Sequence, residues 1–204
     1  MKRFLFQGDS ITDAGRADDS DLGTGYPLLV AADLMKNRKG EFSFFNRGES
    51  GDRITDIYAR IKEDIINLAP DYMSILVGVN DVSHELTIKC GVDADKYEKI
   101  YTMLIEEVRA ALPDIKIIIL EPFVLKGTAT QELWEQFYAE VKKRSAAAKC
   151  VAEKFSLEFV ELQNKFDDAC ADGDTRYWSV DGVHPTAAGH QIIKEELLKA
   201  INKL

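Results

Sequence analysis

Three side chains stand in settings that suit acyl transfer. Ser10 ends an apolar run in FLFQGDSITDAG, while Asp181 and His184 lie three residues apart in YWSVDGVHP, on a turn held by Gly182 and Pro185. A serine hydroxyl is a weak nucleophile until a base takes its proton, and imidazole is the side chain whose ordinary pKa suits that task near neutrality. An aspartate three residues before a histidine can accept from one ring nitrogen while the other faces Ser10, so two chain segments suffice for nucleophile, base and orienting acid. A tetrahedral intermediate also needs donors for its oxygen. The candidates are the Ser10 amide, Gly51 in NRGESGD and Asn80 in GVND, the glycine because an amide without a neighbouring Cβ allows close approach.

Each of these residues has an ordinary structural reading. Gly-Asp-Ser is a common turn, Asn80-Asp81 suits a helix N-cap, Asp181-Gly182 is a turn signal, and His184 before Pro185 would pass as a surface histidine. Their places in the chain favour the chemical reading. Short apolar runs at residues 3–7, 42–46, 72–77, 116–120 and 158–160 alternate with amphipathic stretches at 26–36, 54–68, 97–112, 132–155 and 190–204. That alternation predicts a three-layer α/β/α sandwich with about five parallel strands in flavodoxin-like order, where ligands bind at the carboxyl ends of the strands. Gly8-Asp9-Ser10, NRGESGD and GVND each follow a predicted strand directly, so they are expected on that edge. Pro70 and Pro113 each follow a helical stretch and punctuate rather than divide the chain; with no linker or repeat, residues 1–204 are expected to form one domain.

Composition narrows the partners. Twenty-six Lys and Arg against 35 Asp and Glu give a formal charge of -9, leaving no basic stripe for a phosphate backbone, so nucleic acid is not an expected partner. No apolar stretch reaches the length of a signal peptide core or a membrane span, and a cytoplasmic location without membrane association is the expectation. Cys90, Cys150 and Cys170 are odd in number and widely spaced, which reads as reduced, mostly structural thiols.

GDSIT, NRGESG, GVND and DGVHP, in that order and spanning nearly the whole chain, resemble the four consensus blocks of the SGNH hydrolase superfamily, also called GDSL esterases and lipases. The resemblance implies Ser10 as nucleophile, His184 as general base, Asp181 as its orienter, and the Ser10 amide, Gly51 and Asn80 as oxyanion donors, with no metal or cofactor. The G-x-S-x-G elbow of α/β-hydrolases is absent from this family and from this chain. GDSITDAGR followed by LGTGY is similar to a branch of SGNH carbohydrate esterases that includes intracellular acetylxylan esterases, which implies a small acyl ester, an acetylated sugar, as substrate. Lysophospholipid and thioester substrates of the same superfamily are the alternative, and the resemblance leaves self-association open. Glu49 departs from the pattern, standing where relatives usually carry an apolar residue. Near a developing oxyanion its charge would be unfavourable unless Arg47 or Arg53 paired with it, so it is expected to pack outward.

The remaining candidates carry lesser expectations. Asp9 and Trp178 are assigned to substrate binding; Phe123 is a further flat apolar surface, and Trp134 reads as core. Ser50 is the rival nucleophile, but the family pattern puts it in the oxyanion loop. Glu121 follows the fourth strand, His84 reads as a solvent-facing loop residue, and His190 reads as structural at the start of the last helix. KKRSAAAK, residues 142–149, reads as a solvated helix face. A metal phosphoesterase built on Asp9, Asp81, Asp181 and His184 is the remaining class, weakened by a chain with three histidines in all.

Overall fold

In the computed structural model, which describes residues 1–18 and 21–204, the apolar runs pair as strands β1 (Lys2–Gly8), β2 (Phe42–Asn46), β3 (Tyr72–Leu76), β4 (Lys116–Leu120) and β5 (Glu158–Val160). They form one parallel sheet in the order β2-β1-β3-β4-β5, the flavodoxin-like order. The register sets Phe6 beside Asn46, Gly8 beside Leu76, Leu76 beside Leu120 and Leu120 beside Val160, so the strands end along a common edge.

Helices cover both faces. They are α1 (Ser10–Asp13), α2 (Tyr26–Asn37), α3 (Ile54–Ala59), α4 (Val79–Ile88), α5 (Ala94–Ala111), α6 (Trp134–Phe155), α7 (Gln163–Ala169), α8 (Thr175–Trp178) and α9 (Ala187–Ile201). Strand side chains alternate between faces, which splits the core in two. Phe4 and Phe6 pack with Tyr26, Val30, Ile193 and Leu197 under α2 and α9. Leu5, Met73, Ile75 and Ile117 pack with residues of α3, α5 and α6 on the other side. Among the described residues no helix is long and apolar enough to cross a membrane.

The helices depart from the predicted pattern in several places; α5 starts three residues early, and the short α1, α7 and α8 were not predicted. The stretch 54–68 does not run as one helix: α3 gives way at Arg60 to a wider π turn, Ile61–Ile66, closed by the Asn67 amide donating to Lys62 O at 2.9 Å. Arg60 sits at the junction and holds both Asp52 (2.5 Å) and Asp64 (2.7 Å), a cross-link that amphipathic spacing cannot reveal. The α6 segment starts at Trp134, after a tight 3-10 turn at Gln131–Leu133. The last helix starts at Ala187 rather than at 190, because Thr186 caps it, its hydroxyl accepting from the Gly189 amide. Finally, α4 occupies residues expected to be loop, so His84 is a half-buried helical residue.

The run 142–149 is not a uniformly solvated face. Arg144 is 2 % exposed; it donates to Val92 O at 2.7 and 3.2 Å and pairs with Glu140. This tie joins α6 to the segment between α4 and α5.

Candidate active site

The turn after β1 is built to present Ser10. Gly8 has φ +159°, and a Cβ there would lie 2.3 Å from both Leu76 O and Thr12 Oγ1, so the strand can leave the sheet this tightly only at glycine. Asp9 then caps α1, its Oδ1 accepting from the Ile11 amide at 3.0 Å, which sets Ser10 in the first turn. Asp9 therefore cannot meet a substrate as expected from the sequence. It is 1 % exposed, its Oδ2 is sealed without a partner among the described residues, and burial pushes its carboxyl up to about 7.

The turn 179–185 delivers the imidazole from the far end of the chain. Ser179 donates to His184 O (3.0 Å) and accepts from the Gly182 amide (2.9 Å), while the Val180 amide also reaches His184 O (2.8 Å). Within this frame His184 Nδ1 lies 2.8 Å from Asp181 Oδ2, and Nε2 lies 2.9 Å from Ser10 Oγ. The partial burial of Asp181 favours its neutral form, but the amides of His184 (2.8 Å) and Val183 (2.9 Å) and the imidazole all donate to it and hold it below the usual carboxylate range. An ionised carboxylate only accepts, so Nδ1 carries the hydrogen and Nε2 is left to accept from Ser10.

The atoms nominated as oxyanion donors come from the turns after β1, β2 and β3. Gly51 sits at φ +90°, a left-handed conformation that side chains resist. Its loop is tied to β1 by the Arg47 amide on Phe6 O (2.8 Å) and the Glu49 amide on Gly8 O (3.1 Å). Asn46 adds a further tie, donating to Thr12 O at 2.7 Å and accepting from the Gly48 amide at 2.9 Å. Asn80, in the first turn of α4, is oriented through Nδ2 on Asp52 O at 3.1 Å. Among the described residues the amides of Ser10 and Gly51 donate to no protein group.

Glu49 has a different partner from either one expected. Arg16, with a side chain 10 % exposed, pairs with Glu49 and donates from Nε to Gly48 O at 3.0 Å. Arg53 instead binds Asp56 (2.8 Å), and Arg47 lies 3.8 Å from Asp64. Sequence reading missed Arg16 because its partners lie 32 and 33 residues away.

A cavity of about 590 Å³ opens beside Ser10 and His184, between α1 and the start of α9. Its walls include Asp13, Ala14, Thr24, Ser50, Ala187 and His190. Ser50 is exposed at this rim, and among the described residues His184 Nε2 bonds Ser10 rather than Ser50. His190 is 8 % exposed; its Nδ1 accepts from the Tyr26 amide at 3.1 Å, and burial lowers its pKa to about 4. Trp178, expected to flank the substrate, packs against the core beneath α9, with Tyr177 at 4.9 Å on its edge. Phe123 is also core, stacked on Phe166 at 4.1 Å. Glu121 accepts from Ser145 Oγ and from the amides of Leu162 and Gln163, so it anchors the start of α7. Cys90 and Cys150 are exposed rather than structural, with the Cys90 thiol 3.1 Å from Arg53.

The model of the GDSL-like lipase/acylhydrolase family matches residues 6–192. Acetylxylan esterase of Geobacillus stearothermophilus is 32% identical, across 98% of this chain and 94% of its own. The crystal structure of Axe2, an acetylxylan esterase from the same organism, is 31% identical and superposes with a TM-score of 0.87 over 98% of this chain and 94% of that one. A protein of Parabacteroides merdae, described as a GDSL-like lipase, is 33% identical with a TM-score of 0.92, over 98% and 95% of the two chains. An α/β hydrolase enzyme from the metagenome of Lake Arreo is 28% identical, with a TM-score of 0.88 over 98% and 95%.

Proposed function

Because the chain belongs to the GDSL-like lipase/acylhydrolase family and is a carboxylic ester hydrolase, we propose that it removes short acyl groups, O-acetyl groups of carbohydrates in particular, through an acyl-enzyme on Ser10. The observation that carries the reading is the unbroken hydrogen-bonded chain from Ser10 Oγ through His184 to Asp181, at 2.9 and 2.8 Å.

The steps follow from that arrangement. Ser10 Oγ bonds to the ester carbonyl carbon as its proton passes to His184 Nε2, and Asp181 stabilises the imidazolium that results. The carbonyl oxygen becomes anionic and takes hydrogen bonds from the amides of Ser10 and Gly51 and from Asn80 Nδ2. Collapse breaks the bond to the alkoxy oxygen, which leaves as alcohol with the proton from His184. Water then adds to the acyl carbon, giving its proton to the same nitrogen, and the bond to Oγ breaks to release the acid and restore the hydroxyl.

The carbohydrate part of the reading rests on the likeness to acetylxylan esterase and on GDSITDAGR with LGTGY. A hydrolysis panel of p-nitrophenyl esters from acetate to palmitate, run beside acetylated xylosides, tests it. The expected result is a maximum at acetate together with deacetylation of the sugar; a maximum at long chains would overturn the substrate and leave the mechanism standing.

A further inference from the structure

The cavity beside Ser10 lies on one flank of the reacting centre. His184 and Ala187 line it, whereas Gly51 and Asn80 do not. With the carbonyl oxygen of a bound ester directed to those donors, the leaving oxygen must face His184 Nε2, which returns the proton to it. The space on the flank of His184 therefore receives the alcohol half of the ester.

Two polar side chains, Asp13 and His190, line that space. Asp13 lies one turn after Ser10 on α1 and so shares its face. Its Oδ1 accepts from the Arg16 amide at 3.2 Å, while among the described residues Oδ2 has no hydrogen-bond partner. The His190 ring has Nδ1 committed to the Tyr26 amide, which places the hydrogen of the neutral ring on Nε2. Among the described residues Nε2 has no protein partner, and unlike sealed core atoms such as Gln7 Nε2 it keeps contact with solvent. Asp13 Oδ1 is also ion-paired with Arg16 Nε at 4.0 Å, so Oδ2 is the acceptor left for a ligand, and with the His190 Nε2 hydrogen it lines the side of the leaving alcohol.

We propose that this cavity is a subsite for a neutral polyhydroxyl ring, with Asp13 accepting from one ring hydroxyl and His190 Nε2–H donating to another oxygen. The proposal rests on the carbohydrate-ester reading above and names the residues that recognise the sugar. A simple alkyl or aryl alcohol offers Asp13 no hydrogen to accept. A phosphate-bearing alcohol would bring a second negative charge against it.

The test compares a mono-O-acetyl methyl xyloside with p-nitrophenyl acetate in the wild type, Asp13→Ala and Asp13→Asn, with thermal melting as the check on folding. The ratio of kcat/KM for the xyloside to that for p-nitrophenyl acetate should fall roughly ten- to hundredfold in Asp13→Ala, mainly through KM, and less in Asp13→Asn, whose amide oxygen still accepts. Deoxy xylosides provide a second measurement. Removal of one particular hydroxyl should cost about tenfold or more, and that analogue should be insensitive to Asp13→Ala. An unchanged ratio, or equal sensitivity of every deoxy analogue, overturns the subsite while the wild type still deacetylates the xyloside. A wild type that turns over p-nitrophenyl acetate but leaves the xyloside intact overturns the carbohydrate reading itself, and the subsite with it.

Discussion

Asn80 enters the reacting centre with its side chain already fixed, since Nδ2 donates to Asp52 O and its remaining N–H is aimed by that contact. In the proposed reaction this donor matters most when charge develops on the substrate oxygen. Asn80→Ala should therefore lower kcat by about 10² to 10³ with little change in KM, as measured by steady-state hydrolysis of p-nitrophenyl acetate; full turnover would remove Asn80 from that role. Asp181 acts one bond further out. Three donors hold it ionised, and as an acceptor it keeps the hydrogen on His184 Nδ1. Asp181→Asn presents an amide that favours the other tautomer, and a fall in kcat of about 10⁴ is expected. At this scale the types and order of Ser10, Asp181 and His184 were legible in the sequence, because two short segments carry all three. The fate of Asp9 was not: a residue beside the nucleophile reads equally as a binding group or as a cap, and only burial decides between them.

Between elements, long-range charge pairs do the positioning. Arg16 clamps the loop after β2 to the turn after β1 through Gly48 O and Glu49, three and two residues before Gly51. Arg16→Gln should lower kcat for p-nitrophenyl acetate by loosening the Gly51 amide, with partial recovery in Arg16→Lys; unchanged kinetics in both would show that the loop holds without the clamp. Arg144 makes the corresponding tie on the far side. Arg144→Met strands the buried Val92 carbonyl while Glu140 keeps Lys143, and the expected cost is about 2 kcal/mol in denaturant unfolding. The central strands β1, β3 and β4 were readable because each is a short apolar run largely buried on both faces, and the bounds of all five lie within a residue of those predicted. The α4 helix was not readable, since its ten residues bury only Val79, Asp81 and Val82 and show no sustained apolar stripe. Likewise the π turn at Ile61–Ile66 follows a helical pattern that gives no sign of the Arg60 cross-links.

Over the whole molecule, buried ionisable groups link stability to pH in opposing directions. Burial raises Asp9 and Asp81 from the ordinary 3.8 to about 7, so the folded state holds their protons more tightly than the unfolded chain does. Their stabilisation is complete below about pH 4 and is lost as pH rises toward 7. Burial lowers His190 from 6.5 to about 4, so its contribution has the other sign: it is complete above 6.5 and is lost as pH falls toward 4. Asp81→Asn isolates one component, because an amide oxygen can still accept from the Ile54 amide that binds Asp81 at 3.2 Å. The Tm of Asp81→Asn relative to wild type should climb from pH 4 to pH 7 and level off above it, whereas a constant difference across that window would contradict the assignment. The parallel sheet and its order were legible from the alternation of apolar runs and amphipathic stretches. The cavity beside Ser10 was not, because it joins α1 to α9 across nearly the full length of the chain. The most direct measurement on the account as a whole is acid-quenched peptide mass mapping during turnover of p-nitrophenyl acetate. The account predicts an acetyl group on the Ser10 peptide of the wild type and none in Ser10→Ala; acetyl on Ser50, or sustained turnover by Ser10→Ala, would contradict it.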